Sequence, residues 1–146
     1  MHTNAPPRLG HTAISVRDPN RVAAFYRDLL NLQIVRHGGN ALTGQAVLLS
    51  GDPAREDHEL VLLTNPHAEH IAFRVNTLDA LRTLFRSAKQ QEQSIPYALD
   101  SSVALSFFLR DPENNPVEIY LRRSEPNRDK PPLTDPEEID RLILGS

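Results

Sequence analysis

Two strand-like segments of the chain begin alike, each with a histidine followed by mostly apolar residues. Laying His11-Thr-Ala-Ile-Ser-Val16 over His70-Ile-Ala-Phe-Arg-Val75 matches the histidine, the alanine and the valine at corresponding positions. An internal repeat of this kind indicates that one supersecondary unit occurs twice.

A helix signal follows each copy of the repeat. After the first copy, Asp18-Pro19 supplies an N-cap and a proline at the first helical position, and the predicted helix ends at Asn31. After the second copy, Thr77 can cap a helix whose apolar residues recur on one side as far as Ala88. The sequence therefore predicts one amphipathic helix after each histidine-bearing strand.

Three apolar runs, separated by turn-like stretches, come after each predicted helix. They are residues 32–36, 46–50 and 59–64 in the first half, and 95–99, 105–109 and 117–121 in the second half. Gly38-Gly39 and residues 111–115 supply the flexible or turn-favouring residues that chain reversals need. The pattern is βαβββ twice, and it predicts an α+β fold of two modules at about residues 8–65 and 68–122, with the helices outside.

Residues 123–146 follow as a polar, proline-bearing tail with a short C-terminal helix. Asp135-Pro136 opens this helix, and Ile139, Leu142 and Ile143 lie on one side of it. That apolar side packs either on the chain's own sheet or on a second subunit, and the sequence does not choose between them.

Length and composition limit the function classes. A chain of 146 residues with 39% hydrophobic content suits one compact domain, or two small modules that share a core. The formal charge of -3 and the lack of a lysine or arginine run argue against nucleic acid or an anionic membrane as partner, so a small-molecule substrate is expected. With no cysteine, any metal must be held by histidine and carboxylate. No secretion signal or long apolar run is recognisable, and a cytoplasmic protein is expected.

His11, His70 and Glu118 each stand on a predicted strand of their own. Taken singly, each has an ordinary structural interpretation, as a satisfied histidine at a strand start or a glutamate on a solvated edge. Together, two imidazoles and a carboxylate on three strands can hold one face of a divalent ion and leave its other positions open for substrate or oxygen. Their coincidence favours a metal site.

Three longer segments resemble the vicinal oxygen chelate superfamily of glyoxalases, extradiol ring-cleaving dioxygenases and antibiotic-resistance proteins. They are LGHTAISVRDPNRVAAFYRDLLNL, EHIAFRV and DPENNPVEIYL, and the likeness covers roughly residues 8 to 122. The resemblance implies paired βαβββ modules whose sheets curl into a cup around one divalent metal. It also implies His11, His70 and Glu118 as the metal ligands, and a homodimer.

The segment that contains His58 and Glu59 separates two chemistries, because these neighbours cannot both face the cup from a regular strand. An inward His58, sharing a face with Leu60 and Leu62, would be a general acid or base beside a three-ligand metal, which resembles the extradiol dioxygenases. An inward Glu59 would be a fourth ligand, which resembles the glyoxalases. The His-x-Leu-x-Leu pattern favours His58.

The chain departs from the extradiol pattern at two places. Phe108 stands where a tyrosine usually precedes the glutamate ligand, and Asp100-Ser101-Ser102-Val103-Ala104 lacks the histidine and glycine of the usual motif. Tyr120 lies on the same strand face as Glu118 and could partly replace the missing hydroxyl.

The expected function is metal-dependent, extradiol-like oxygenation of a small vicinal diol or catechol. The expected metal is Fe(II) or Mn(II), while Zn, Ni or Co would also suit two histidines and a glutamate. The alternatives are a glyoxalase-like isomerase or lyase, and a drug-binding resistance protein without enzymatic activity.

Overall fold

The computed structural model describes residues 5–125 and 129–145. The chain divides into two compact units, Gly10–Ile71, here called the N-terminal unit, and Met1–Leu9 with Ala72–Ser146, here called the C-terminal unit. The elements in chain order are β1 (Arg8–Ser15), α1 (Pro19–Leu30), β2 (Gln33–Asn40), β3 (Gly44–Ser50), β4 (Leu60–Leu63), β5 (His70–Val75), α2 (Leu78–Gln90), β6 (Ala98–Asp100), β7 (Ala104–Arg110), β8 (Pro116–Arg122) and α3 (Pro136–Leu144).

The N-terminal unit follows the βαβββ pattern, with its strands in the order β2-β3-β4-β1. β4 pairs in parallel with β1, placing Ala13 beside Val61, and β3 runs antiparallel to β2 and β4. The predicted cap of α1 is confirmed, since the Asp18 carboxylate accepts from the Arg21 backbone N–H and Asn31 ends the helix with a φ of 59°.

Both faces of the N-terminal sheet are apolar. One face packs against α1 through Ala23, Val47, Leu49 and Leu62. The other face carries Ala13, Ala46, Val61 and Leu63. Because residues two apart on a strand share a face, His11 lies on the same face as Ala13.

The C-terminal unit repeats the pattern, with its strands in the order β5-β8-β7-β6. Its core lies between the sheet and α2, whose side chains Leu81 and Phe85 are fully buried. The α+β fold of paired βαβββ modules predicted from the sequence is therefore confirmed.

Helix α3 packs on the chain's own C-terminal unit, which answers the question that the sequence left open. Ile139 and Ile143 join the core cluster with Phe85, and Arg82 Nε donates to the carbonyl of Ile143 at 2.9 Å. The tail also pairs with the sheet edge, since Ala98 and Leu133 exchange backbone hydrogen bonds of 3.0 Å.

Two predicted boundaries were wrong. Gly38 and Gly39 lie inside β2, and the hairpin reverses at residues 41–43 instead, where Asn40 Oδ1 accepts from the Leu42 and Thr43 backbone N–H groups. The strand predicted at 95–99 is shorter and begins later, at Ala98. At Gly38 and Gly39 the pairing with β3 overrode the local turn preference, whereas residues 95–97, predicted as strand, lie outside β6.

Among the helices in the described part of the chain, none is long and apolar enough to cross a membrane. The cytoplasmic location expected from the sequence stays a prediction.

Candidate metal and catalytic site

His70 opens β5 and is oriented by the turn that precedes it. Residues Pro66–Ala68 form one turn of 3-10 helix, capped by the Asn65 side chain, which accepts from the His67 backbone N–H. This turn presents the Ala68 carbonyl 2.8 Å from His70 Nδ1, so Nδ1–H donates to it. That tautomer leaves the lone pair of His70 Nε2 available as a ligand.

His11 lies on β1 with its ring buried, at 5% exposure. Its Nε2 atom is 3.3 Å from Nε2 of His70. Two nitrogens that each lie about 2.1 Å from one ion, at ligand angles of about 90° to 109°, are about 3.0 to 3.4 Å apart. The histidine pair therefore fits two positions on one divalent metal.

A carboxylate fixes the start of β5 to the end of β1. Glu69 Oε2 accepts from the Ser15 backbone N–H at 2.8 Å and from Ser15 Oγ at 3.1 Å. Glu69 immediately precedes His70, and Ser15 lies on the strand of His11. These contacts hold the backbones of the two histidines in register.

His58 lies in the loop before β4, and its side chain is beside His11. Its ring centroid lies 4.4 Å from that of His11, with the ring planes tilted by 47°. His58 Nδ1 lies 2.6 Å from Asp57 Oδ2, so Nδ1–H donates to the carboxylate. The nitrogen left to exchange a proton is Nε2, which is the arrangement that a general acid or base requires.

Asp57 is itself held by Arg36, through contacts of 3.0 and 2.5 Å to its two carboxylate oxygens. A β-bulge at Val35, where the pairing with β3 shifts by one residue, places Arg36 on β2 for this contact. Burial raises the pKa of Asp57, but hydrogen bonds from His58 and Arg36 outweigh burial and lower it overall. Asp57 is therefore an ionised carboxylate that fixes His58.

Glu59 does not join the histidines. Its Oε1 accepts from the Gly51 backbone N–H at 2.6 Å and lies 3.4 Å from Ser50 Oγ, so the carboxylate closes the loop between β3 and β4. The placement of His58 beside His11 agrees with the sequence preference, but the reason given for it was wrong. Leu60 and Leu62 face α1, away from His11. Because β4 begins only at Leu60, His58 lies before the strand, and the alternation of side chains along a strand does not determine its direction.

In the C-terminal unit, Glu118 lies on β8 with a buried side chain, at 6% exposure. It stands directly opposite Phe108 of β7, so the two side chains share a sheet face. Tyr120 follows two residues later on the same face, is 3% exposed and pairs with Ser106. The neighbouring Ile119 points to the opposite face, into the core formed with α2.

Tyr97 reaches this face from the segment just before β6. Its carbonyl accepts from the Phe108 backbone N–H at 3.0 Å, and its ring stacks on Phe108 at 4.3 Å with the planes 23° apart. Burial raises the pKa of Tyr97 to about 12, assisted by the negative charge of Glu118 and opposed by Arg110. The phenol is therefore protonated at neutral pH and lies within the electrostatic reach of Glu118.

The stretch that departs from the extradiol pattern has structural contacts instead. Ser101 Oγ accepts from the Ala104 backbone N–H at 3.1 Å and shapes the turn into β7. The buried Asp100 forms ion pairs with Arg123 and, at 3.3 Å, with Lys130. These residues anchor the C-terminal tail to β6.

Sequence reasoning missed Asp57, Arg36 and Tyr97. Asp57 adjoins His58 in the chain, so a carboxylate partner could have been proposed from that adjacency alone. Arg36 and Tyr97 could not, because their positions depend on a bulge and on strand register. The roles assigned to His11, His58, His70, Glu118 and Tyr120 stay predictions.

Comparison with known proteins places this geometry in a family. The model of the "Glyoxalase/Bleomycin resistance protein/Dioxygenase superfamily" matches residues 8–119. No curated protein matches the chain significantly.

Solved structures share the fold at low identity. A catechol 2,3-dioxygenase is 23% identical with a TM-score of 0.64, over 84% of this chain and 42% of that one. A variant of homoprotocatechuate 2,3-dioxygenase from Brevibacterium fuscum is 21% identical with a TM-score of 0.64, over 84% and 34%. A hypothetical protein from Bacillus halodurans C-125 is 17% identical with a TM-score of 0.57, over 83% and 98%.

These identities establish likeness of fold alone. The chain spans 34% to 45% of the length of the dioxygenases that it matches first. The resemblance inferred from the sequence is nevertheless confirmed, because the family model covers most of the chain. The protein belongs to the glyoxalase/bleomycin resistance protein/dioxygenase superfamily.

Proposed function

We propose that the protein is a metal-dependent enzyme in which His11, His70 and Glu118 hold one divalent metal ion. The observation that carries the proposal is the 3.3 Å separation of the two Nε2 atoms, which suits two ligands of one ion. Glu118 supplies the carboxylate of a two-histidine, one-carboxylate set, a set that leaves positions open for substrate. Membership of the superfamily supports the assignment.

The proposed reaction is extradiol-like oxygenation of a small vicinal diol or catechol, with Fe(II) or Mn(II) as the metal. Support comes from the fold shared with a catechol 2,3-dioxygenase. When bound, the metal would supply a Lewis-acidic centre for the substrate and for O2.

The chain's own residues provide the proton transfer. His58 Nε2 accepts a proton from a substrate hydroxyl, while the Asp57 carboxylate holds Nδ1–H at 2.6 Å and stabilises the resulting imidazolium. Arg36 keeps Asp57 ionised and fixed in place. The result is an oriented base that returns the proton later in the reaction.

A glyoxalase-like proton transfer is the second candidate. The observation that favours it is Phe108, which has no hydroxyl to orient a catechol. Glu59 argues against a four-ligand glyoxalase site, because its carboxylate accepts a hydrogen bond from the Gly51 N–H. This second reaction would therefore use the same three ligands, with His58 as the base.

Oxygen uptake by Fe(II)- or Mn(II)-loaded protein with a panel of catechols tests the proposed reaction. Oxygen consumption and a yellow ring-fission product are expected. Bound metal without oxygen uptake would contradict oxygenation and shift the proposal to the glyoxalase-like class. Protein that takes up no metal but binds a planar drug tightly would instead be a resistance protein.

A further inference from the structure

The side chain at position 108 lacks the hydroxyl that the extradiol resemblance implies. We propose that Tyr97 supplies this hydroxyl, donating a hydrogen bond to a substrate oxygen from the sheet face that bears Glu118 and Phe108. This inference rests on the proposed function and deepens it, because it names the residue that orients the diol.

The backbone brings Tyr97, Phe108 and Glu118 into one row. The Phe108 backbone N–H donates to the Tyr97 carbonyl at 3.0 Å, and Phe108 pairs directly with Glu118. Neighbouring strands lie about 4.8 Å apart, so the Tyr97 and Glu118 backbones are roughly 10 Å apart on one face. A small diol held at the Glu118 carboxylate is within reach of a phenol from that distance.

Ring stacking fixes the direction of the Tyr97 side chain. The ring lies 4.3 Å from that of Phe108 at 23°, and the Phe108 ring is itself only 3% exposed. Phe108 therefore holds the Tyr97 ring in place, and the half-buried Tyr97 offers its hydroxyl to the substrate. The hydroxyl that the extradiol pattern places at position 108 is therefore supplied by Tyr97, whose ring stacks on that of Phe108.

The charges around Tyr97 suit a hydrogen-bond donor. Burial, assisted by the Glu118 carboxylate, raises the pKa of Tyr97, so the hydroxyl keeps its proton at neutral pH. A neutral phenol can donate to an anionic diol oxygen, and a donor to a charged acceptor makes a strong hydrogen bond. No covalent bond is made or broken at Tyr97.

Tyr120 is the competing phenol. It also shares the face of Glu118, but it is only 3% exposed and lies along the same strand rather than across the sheet. Tyr97 is the more accessible of the two, since its side chain is half-buried. The two tyrosines are therefore distinguishable by substitution.

The test is binding of 4-nitrocatechol to the Mn(II)-loaded full chain without oxygen, followed by absorbance. Tyr97→Phe should weaken binding about 10-fold or more, as expected for the loss of a hydrogen bond to a charged oxygen. Tyr26→Phe, the same chemical change on α1, is the matched control and should bind as the wild type does. Phe108→Tyr in the Tyr97→Phe background should restore binding, which a general structural defect would not allow.

Three results would overturn the inference. If wild-type protein binds 4-nitrocatechol and Tyr97→Phe binds it equally well, Tyr97 has no part in orienting the diol and the proposed function survives. A loss confined to Tyr120→Phe would assign the role to Tyr120 instead. If metal-loaded wild type binds no 4-nitrocatechol, the proposed function fails and the inference fails with it.

Discussion

The proposed proton transfer depends on three side chains of the N-terminal unit, in the order Arg36, Asp57 and His58. Each contact in this series fixes the next, because the guanidinium holds the carboxylate and the carboxylate holds Nδ1–H of the imidazole. The imidazole then stands 4.4 Å from the His11 ring, beside the proposed metal ligand. His58 is thus close to the proposed ligands without being needed as one.

His58→Ala should lower kcat about 100-fold or more, the range typical for loss of a general base, with no loss of metal. Steady-state kinetics and metal analysis on the same preparation measure both effects. His37→Ala, at an exposed position on β2, is the matched control and should be fully active. An unchanged kcat in His58→Ala would remove the proposed role.

Tyr97 should be the source of a late phase in an alkaline titration of metal-free protein. Burial, assisted by the negative charge of Glu118, raises the pKa of Tyr97 from the ordinary value of 10.0 to about 12 in the folded chain. Its contribution to stability is complete below pH 10 and is lost as the pH rises from 10 to 12. Tyrosinate absorbance measures the phase, and Tyr97→Phe should lack it; an unchanged titration curve in that variant would contradict the assignment.

For single residues, the sequence was most informative about those that lie on a regular strand. The repeat gave His11 and His70 matching positions, and the 3.3 Å between them agrees with that expectation. His58 was selected for a wrong reason, since alternation does not hold in the loop before β4. Tyr97 was missed because stacking on Phe108 depends on register, which no local pattern encodes.

Among the secondary-structure elements, helices were predicted more accurately than strands. Asp18 and Thr77 each cap a helix with the side-chain contact that the sequence indicates, to Arg21 N–H and Ala80 N–H. Capping is local, so it can be read from a few residues. Strand β6 spans only Ala98–Asp100, because its length is set by pairing with β7 and by the returning tail.

Helix α3 stabilises the C-terminal unit through its buried face. Ile143 is fully buried, so Ile143→Ala should cost about 2 to 4 kcal/mol of unfolding free energy by leaving a cavity. Arg141→Ala, on the exposed side of the same helix, should change it by less than about 0.5 kcal/mol. Urea unfolding followed by circular dichroism compares them, and equal stability of the two variants would contradict the docking of α3.

For the whole molecule, the duplicated βαβββ pattern was predictable because it appears twice in the apolar periodicity of the sequence. The oligomeric state was not predictable from the residues alone, since no sequence pattern identifies a subunit interface. The homodimer implied by the resemblance stays a prediction. Light scattering on the eluting protein should give about twice the 16.4 kDa of one chain, and a mass of one chain would contradict it.

The central claim is that His11, His70 and Glu118 hold one metal ion, and metal content tests it most directly. Anaerobically purified protein should carry close to one divalent ion per chain by elemental analysis. His70→Ala should lose that ion, while His67→Ala, an exposed histidine three residues earlier, should keep it. Full metal content in His70→Ala would contradict the site.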